Sequence, residues 1–173
     1  MSLIKTTTTL IIFCLFITTL ACTETKTAED YLESGNAKYE LKDYKGATQD
    51  HTKAIERNPN HAIAYFHRGV IKDNLKDYRR AIQDYNKAIE LNPYHALAYY
   101  NRGAAKVNLQ DHKGAIADYS KAIKLIPNYA GAYSGRGIAK IRSGQKDSGC
   151  LDLSKAGKLG FAEAYEVIKE YCN

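Results

Sequence analysis

The chain has 173 residues, 45% apolar by a broad count and 25% charged, with a mean hydropathy of -0.45. These values suit one or two water-soluble domains and exclude a disordered or collagen-like chain and a protein with several membrane spans. The formal charge is a modest +6, and the four cysteines, Cys14, Cys22, Cys150 and Cys172, are too few and too scattered for a disulfide scaffold or a zinc ribbon.

Residues 1–21, MSLIKTTTTLIIFCLFITTLA, start with one base at Lys5, run through an apolar stretch from Leu10 to Leu20 and end in Ala21 before Cys22. This is the layout of an export signal. The apolar run is shorter than the roughly 17 to 25 residues of a bilayer-spanning helix. Cys14 lies inside the signal and leaves with it on cleavage. The ending LAC resembles the lipobox of bacterial lipoproteins, which implies cleavage before Cys22 and lipidation of Cys22 as a membrane anchor, although Thr19 stands where the box usually has an aliphatic residue. The alternative is an ordinary secretory signal cut nearby, leaving a secreted or periplasmic soluble protein. Residues 22–27 read as a short polar tether.

From Ala28 the sequence repeats with a period of 34 and no gaps: 28–61, 62–95, 96–129 and a partial fourth unit over 130–160. Position 4 of each unit is tyrosine (Tyr31, Tyr65, Tyr99, Tyr133), position 8 glycine (Gly35, Gly69, Gly103, Gly137) and position 27 alanine (Ala54, Ala88, Ala122, Ala156). Position 32 gives Pro59, Pro93 and Pro127. Within the second unit, Tyr65, Gly69, the stem of Lys72 and Leu75 recur at steps of three and four, and Tyr78, Ala81, Ile82, Tyr85, Ala88 and Ile89 do so again. Two amphipathic helices per unit are predicted, with these residues facing the core. Glycine at position 8 and alanine at positions 20 and 27 remove bulk where helix backbones approach, and the proline, which has no N–H, ends the second helix.

This pattern resembles the tetratricopeptide repeat. The resemblance implies an all-α solenoid of helix-turn-helix hairpins over 28–173, wound as a right-handed superhelix with a concave inner wall. In the fourth unit Gly149 replaces alanine at position 20, Ser143 stands where leucine is usual, and no proline follows, so the array is predicted to stop there. Residues 161–173 then form a capping helix with Ala164, Ile168 and Tyr171 on its inner face and Glu163, Glu166, Lys169 and Glu170 turned outward. Cys150 and Cys172 stand about level on either side of a turn near Phe161. A disulfide, favoured by export, and two buried unpaired thiols both remain open.

No catalytic constellation emerges. None of His51, His61, His67, His95 and His112 falls at metal-ligand spacing, and they read as polar surface histidines, two of which, His61 and His95, share the last position of successive units. The stretch YSGRG at 133–137 lacks the glycine-flanked serine elbow, and no phosphate-binding glycine loop is present. We therefore expect no enzyme, metal, cofactor or small-molecule substrate. Unit charges of −2, +2 and +3, with +2 for residues 130–173, come from interleaved acids and bases that read as solvated helix faces, with no nucleic-acid stripe.

In the tetratricopeptide family the inner wall is formed by positions 2, 5, 9, 12 and 13 of each first helix. The resemblance places there Leu32, Asn36, Tyr39 and Glu40, then Ile63, Phe66, Val70, Asp73 and Asn74. It continues through Leu97, Tyr100, Ala104, Val107 and Asn108 to Ser134, Ile138, Ile141 and Arg142. The clamp by which chaperone-adaptor repeats hold an acidic C-terminal tail needs two lysines, two asparagines and an arginine at set positions. The chain offers Leu32, Asn36, His67, Leu97 and Asn101 in one register and Phe66, Val70, Asn101, Gly131 and Gly135 in the other, one match each. The predicted function is a noncatalytic protein-protein interaction scaffold whose mostly apolar groove takes a peptide or helix of an envelope protein. The alternative is a self-associating structural subunit of an envelope complex.

Overall fold

The computed structural model describes residues 26–172; the stretch expected to be an export signal and Cys22, the expected lipidation residue, lie outside the described residues. Among the described residues there are nine helices and no strand: α1 (Ala28–Glu40), α2 (Tyr44–Arg57), α3 (Ala62–Asn74), α4 (Tyr78–Leu91), α5 (Ala96–Asn108), α6 (His112–Leu125), α7 (Ala130–Arg142), α8 (Lys146–Lys158) and α9 (Glu163–Tyr171). Each 34-residue unit gives one antiparallel pair. The fourth unit, far from partial, forms a complete one, α7 with α8.

The turns show why the helices break where they do. Position 15 takes a left-handed conformation in all four hairpins, at Lys42, Lys76, Gln110 and Gly144. Only the last uses the residue that adopts it without steric cost. In the first three units position 16 then caps the second helix, the Asp43, Asp77 and Asp111 carboxylates accepting from the backbone N–H of Gly46, Arg80 and Gly114. Leu75, expected in the core, is 57% exposed, because α3 ends at Asn74 and the following reversal turns the leucine to solvent with Leu41 and Leu109. The second helices end at Arg57, Leu91 and Leu125, two residues before each proline.

Small residues let the pairs close. A Cβ at Gly69 would lie 2.7 Å from Tyr85 Cε1, and one at Gly103 would lie 3.1 Å from Tyr119 Cε1. Position 8 is therefore the seat of the ring at position 24. In the fourth unit a Cβ at Gly137 would meet the Gly149 carbonyl oxygen at 2.8 Å, so the glycine that departs from the alanine pattern permits backbone-to-backbone contact.

Charged residues also hold the array, a role that the sequence periodicity had not disclosed. Position 23 is aspartate in every unit, and Asp50, Asp84, Asp118 and Asp152 are all buried. Arg68 donates from Nη2 to Asp84 Oδ1 (2.7 Å) and from Nε to Oδ2 (2.9 Å), while Lys72 Nζ donates to Oδ2 at 2.6 Å. Arg102 and Lys106 bind Asp118 in the same way, as Arg136 and Lys140 bind Asp152. The remaining guanidinium nitrogen reaches the preceding unit: Arg68 to Thr52, Arg102 to Asn86 and Arg136 to Ser120. Each arginine also stands over its unit's position-4 tyrosine, 5.4 to 5.6 Å from the ring centroids of Tyr65, Tyr99 and Tyr133. One guanidinium thus joins a hairpin to itself and to its neighbour. The first unit has Ser34 there instead, which donates to Asp50 beside Lys38.

The helix α9 packs on α8 through Ala164, with Val167, Ile168 and Cys172 against Leu153 and Ala156. Tyr171, expected on the inner face, is 46% exposed, and Val167 takes the packed role. A disulfide joins Cys150 to Cys172 across a Cα separation of 5.9 Å.

Candidate functional site

Besides packing on their partners, the first helices touch one another in sequence, α1 with α3, α3 with α5 and α5 with α7, whereas the second helices make no comparable contact. The array therefore curves with the first helices inside. Its concave wall is built by the faces of α1, α3, α5 and α7 that point away from α2, α4, α6 and α8.

Along this wall the residues expected to line the groove divide into three sets. Ile63 and Leu97 are 46% and 47% exposed and stand on one rim, where they border a shallow hollow with Tyr94, His95, Leu125 and Ile126. Leu32, Asn36, Tyr39, Val70, Tyr100 and Val107 are half-buried along the floor, with Asn74 and Asn108 exposed beside them. Asn74 donates to the Tyr39 hydroxyl at 2.7 Å, tying the first two units across the groove. The third set belongs to the interior. Phe66 is only 9% exposed, its ring 4.5 Å from His95 and 6.1 Å from Tyr85, because position 34 supplies a ring that covers position 5 from the next turn. On the floor, Tyr100 is flanked by Tyr129 in the same way at 4.9 Å but stays half-buried. Ile138 and Ile141 pack against the α9 cluster, since α9 stands beside α7 and α8 where a further unit would lie. The usable apolar wall is thus centred on α3 and α5.

His51, His67 and His95 are not the surface residues that the sequence suggests. His51 is fully buried at position 24, against Gly35, and stacks on His67 with ring centroids 5.6 Å apart. Neither of its ring nitrogens has a hydrogen-bond partner, and burial, reinforced by His67, pulls its pKa down to about 4. Burial likewise lowers His67 and His95. Among the described residues no group of three or more His, Cys, Asp or Glu side chains is placed to hold a metal ion. No described helix is long and apolar enough to cross a membrane.

Asn101, at position 6 of α5, is half-buried beside the floor although it lies outside the five expected wall positions, and Tyr85, read from the sequence as core-facing, is fully buried beneath it, reaching through from α4. Burial, with the nearby Asp73, Asp84 and Tyr39, pushes the Tyr85 hydroxyl up beyond the usual phenol range, and the Asn101 side chain lies beside it. A large side chain recurs at position 24 (His51, Tyr85, Tyr119, Leu153) and forms the buried layer beneath the wall.

The family model described as tetratricopeptide repeat matches residues 62–95 and 96–129. No curated protein matches the sequence. Among solved structures, a crystal structure of MamA is similar in fold, with a TM-score of 0.76 and 24% identity over 86% of this chain and 86% of that one. The first TPR of Spaghetti (RPAP3), solved bound to the HSP90 peptide SRMEEVD, gives 0.67 and 28% identity over 68% of this chain and 94% of that one. The Arabidopsis OM64 TPR domain gives 0.65 and 30% identity over 66% and 95%. With its 34-residue helix pairs, its first helices lining a concave wall and these likenesses in hand, the chain belongs to the tetratricopeptide repeat family, a fold of protein-protein interaction scaffolds.

Proposed function

We propose that the protein is a noncatalytic scaffold, exported and lipid-anchored at Cys22, whose concave groove binds a peptide or helix of another protein of the cell envelope. The observation that carries the groove assignment is the half-exposed apolar wall of α3 and α5, where Ile63, Val70, Leu97 and Val107 lie open or half-open on helices rigidly held from behind by the arginine-aspartate latches. Such a wall, preformed and backed by a stable core, can take an extended or helical segment at little ordering cost. Peptide binding by the similar RPAP3 domain agrees with this use of the fold. The Cys150–Cys172 disulfide supports an oxidising compartment, and so supports export.

A photoreactive amino acid at Leu97, in cells expressing the protein, tests the groove. A discrete adduct is expected from Leu97 and none from Leu151, which is 72% exposed on α8. Tyr100→Glu is expected to abolish the adduct with helicity unchanged. Equal capture from Leu151 would move the site to the outer helices. For the anchor, labelled palmitate should enter the wild type and not Cys22→Ser; label retained by the variant would defeat that part of the reading.

A further inference from the structure

The groove has a charge that the chain as a whole conceals. The protein is formally +6, yet the five wall positions of the four units carry three acids, Glu29, Glu40 and Asp73, against one base, Arg142. The base stands apart, beside the α9 residues Glu170 and Tyr171. All three acids lie on α1 and α3, at the open end of the wall.

Asp73 is unlike the aspartates of the latches. Asp50, Asp84, Asp118 and Asp152 each hold a lysine, and the last three an arginine as well. Asp73 is half-buried in the floor, and among the described residues its solvent-shielded Oδ1 has no hydrogen-bond partner and no ion pair involves it. Burial alone pushes its carboxyl up. Beside it the Tyr85 side chain is fully buried and its hydroxyl lacks a partner of good geometry, although Asn101 lies close. The Tyr39 hydroxyl flanks the same spot, and Tyr119, whose ring contacts Tyr100 at 5.7 Å, also lies within the field of Asp73. A half-buried carboxylate with no cation of its own, set among tyrosine rings, has one chemical complement: a cation with several N–H donors on an apolar stem. An acidic tail fits badly, since it would add like charge to a carboxylate already disfavoured by burial.

We propose that the groove selects a basic segment, a partner peptide that places a lysine or arginine head on Asp73 while its apolar neighbours lie along Val70 and Val107. This rests on the groove-binding reading above and names the partner chemistry that the groove would prefer.

The test uses the purified protein and degenerate synthetic peptide pools whose central residue is fixed as arginine, lysine or glutamate, the remaining positions being mixed apolar and small residues. Retention of the arginine and lysine pools is expected to exceed that of the glutamate pool by about tenfold, the scale of a charge-assisted hydrogen bond. Asp73→Asn should erase the preference while apolar retention persists, and Asp73→Lys should reverse it toward glutamate. Circular dichroism melts check that both variants fold, as expected for a side chain with no native cation to lose. Equal retention of the three pools by the wild type, or an arginine preference that survives in both folded variants, would overturn the inference and leave groove binding standing. Retention of no pool at all would sink groove binding itself, and the inference with it.

Discussion

At the scale of single residues, buried polar groups do two different jobs in this protein. Three of the position-23 aspartates, Asp84, Asp118 and Asp152, are buried with both oxygens engaged by an arginine and a lysine, so removing one charge strands two cations. Asp118→Asn is expected to destabilise the protein by about 3 kcal/mol, because a broken buried pair leaves Arg102 and Lys106 uncompensated. A denaturant midpoint close to that of the wild type would contradict the latch. His51 is the opposite case, a buried base with no partner. Its folded pKa of about 4 lies below the ordinary value of 6.5, so below about pH 6.5 the unfolded chain binds the proton that the folded one refuses. Stability from this group is full above that pH and falls as the pH drops toward 4, by a total on the order of 3 kcal/mol. The melting temperature should therefore fall between about pH 7 and about pH 5. His51→Leu, the residue type found at the equivalent Leu153, should flatten much of that slope, with His67 and His95 supplying the remainder. An equal slope in the variant would show that His51 is not the cause.

These same residues mark where sequence reading stopped. Tyrosine, glycine and alanine at positions 4, 8 and 27 announced the packing because their sizes have a direct steric meaning. Arginine, lysine and aspartate at positions 7, 11 and 23 recur as strictly over three units, yet charge on a helix is ordinarily solvated. Only the crossing of two helices shows that these charges face one another. Phe66 was misplaced for a related reason: position 5 belongs to the wall, but its cover, His95, is supplied from the far end of the same unit.

At the scale of elements, the ends of helices decide what is exposed. The left-handed residue at position 15 turns the chain so sharply that Leu41, Leu75 and Leu109 leave the core pattern, which periodicity alone carried one turn too far. The final helix is the most dependent element. Among the described helices only α8 packs on it extensively, and the disulfide fixes its end by closing a 22-residue separation. Cys172→Ser is expected to lower stability by about 2 to 4 kcal/mol. The loss should appear first as faster amide exchange in α9, with α3 to α6 nearly unchanged at low denaturant, as stacked units allow local opening. Simultaneous loosening of every unit would contradict this order. The capping role of α9 was legible because its apolar residues fall on one stripe. Its cover over Ile138 and Ile141 was not, because the wall positions of a last unit look like those of any other.

At the scale of the whole molecule, the repeat converts one hairpin that cannot bury its own apolar face into a curved wall with a solvent-facing interior. The outer helices contribute buried rings and carboxylates, and the inner helices contribute the open surface. The helix hairpins could be read from a 34-step recurrence and the concave wall was implied by the family resemblance, whereas the charge of the groove could not be read from a net charge of the opposite sign. Amide hydrogen exchange on the protein with and without the partner captured through Leu97 tests the assignment of that inner surface directly. Slowed exchange is predicted in α1, α3 and α5, with α2, α4 and α6 unaltered; slowing confined to the second helices would contradict it.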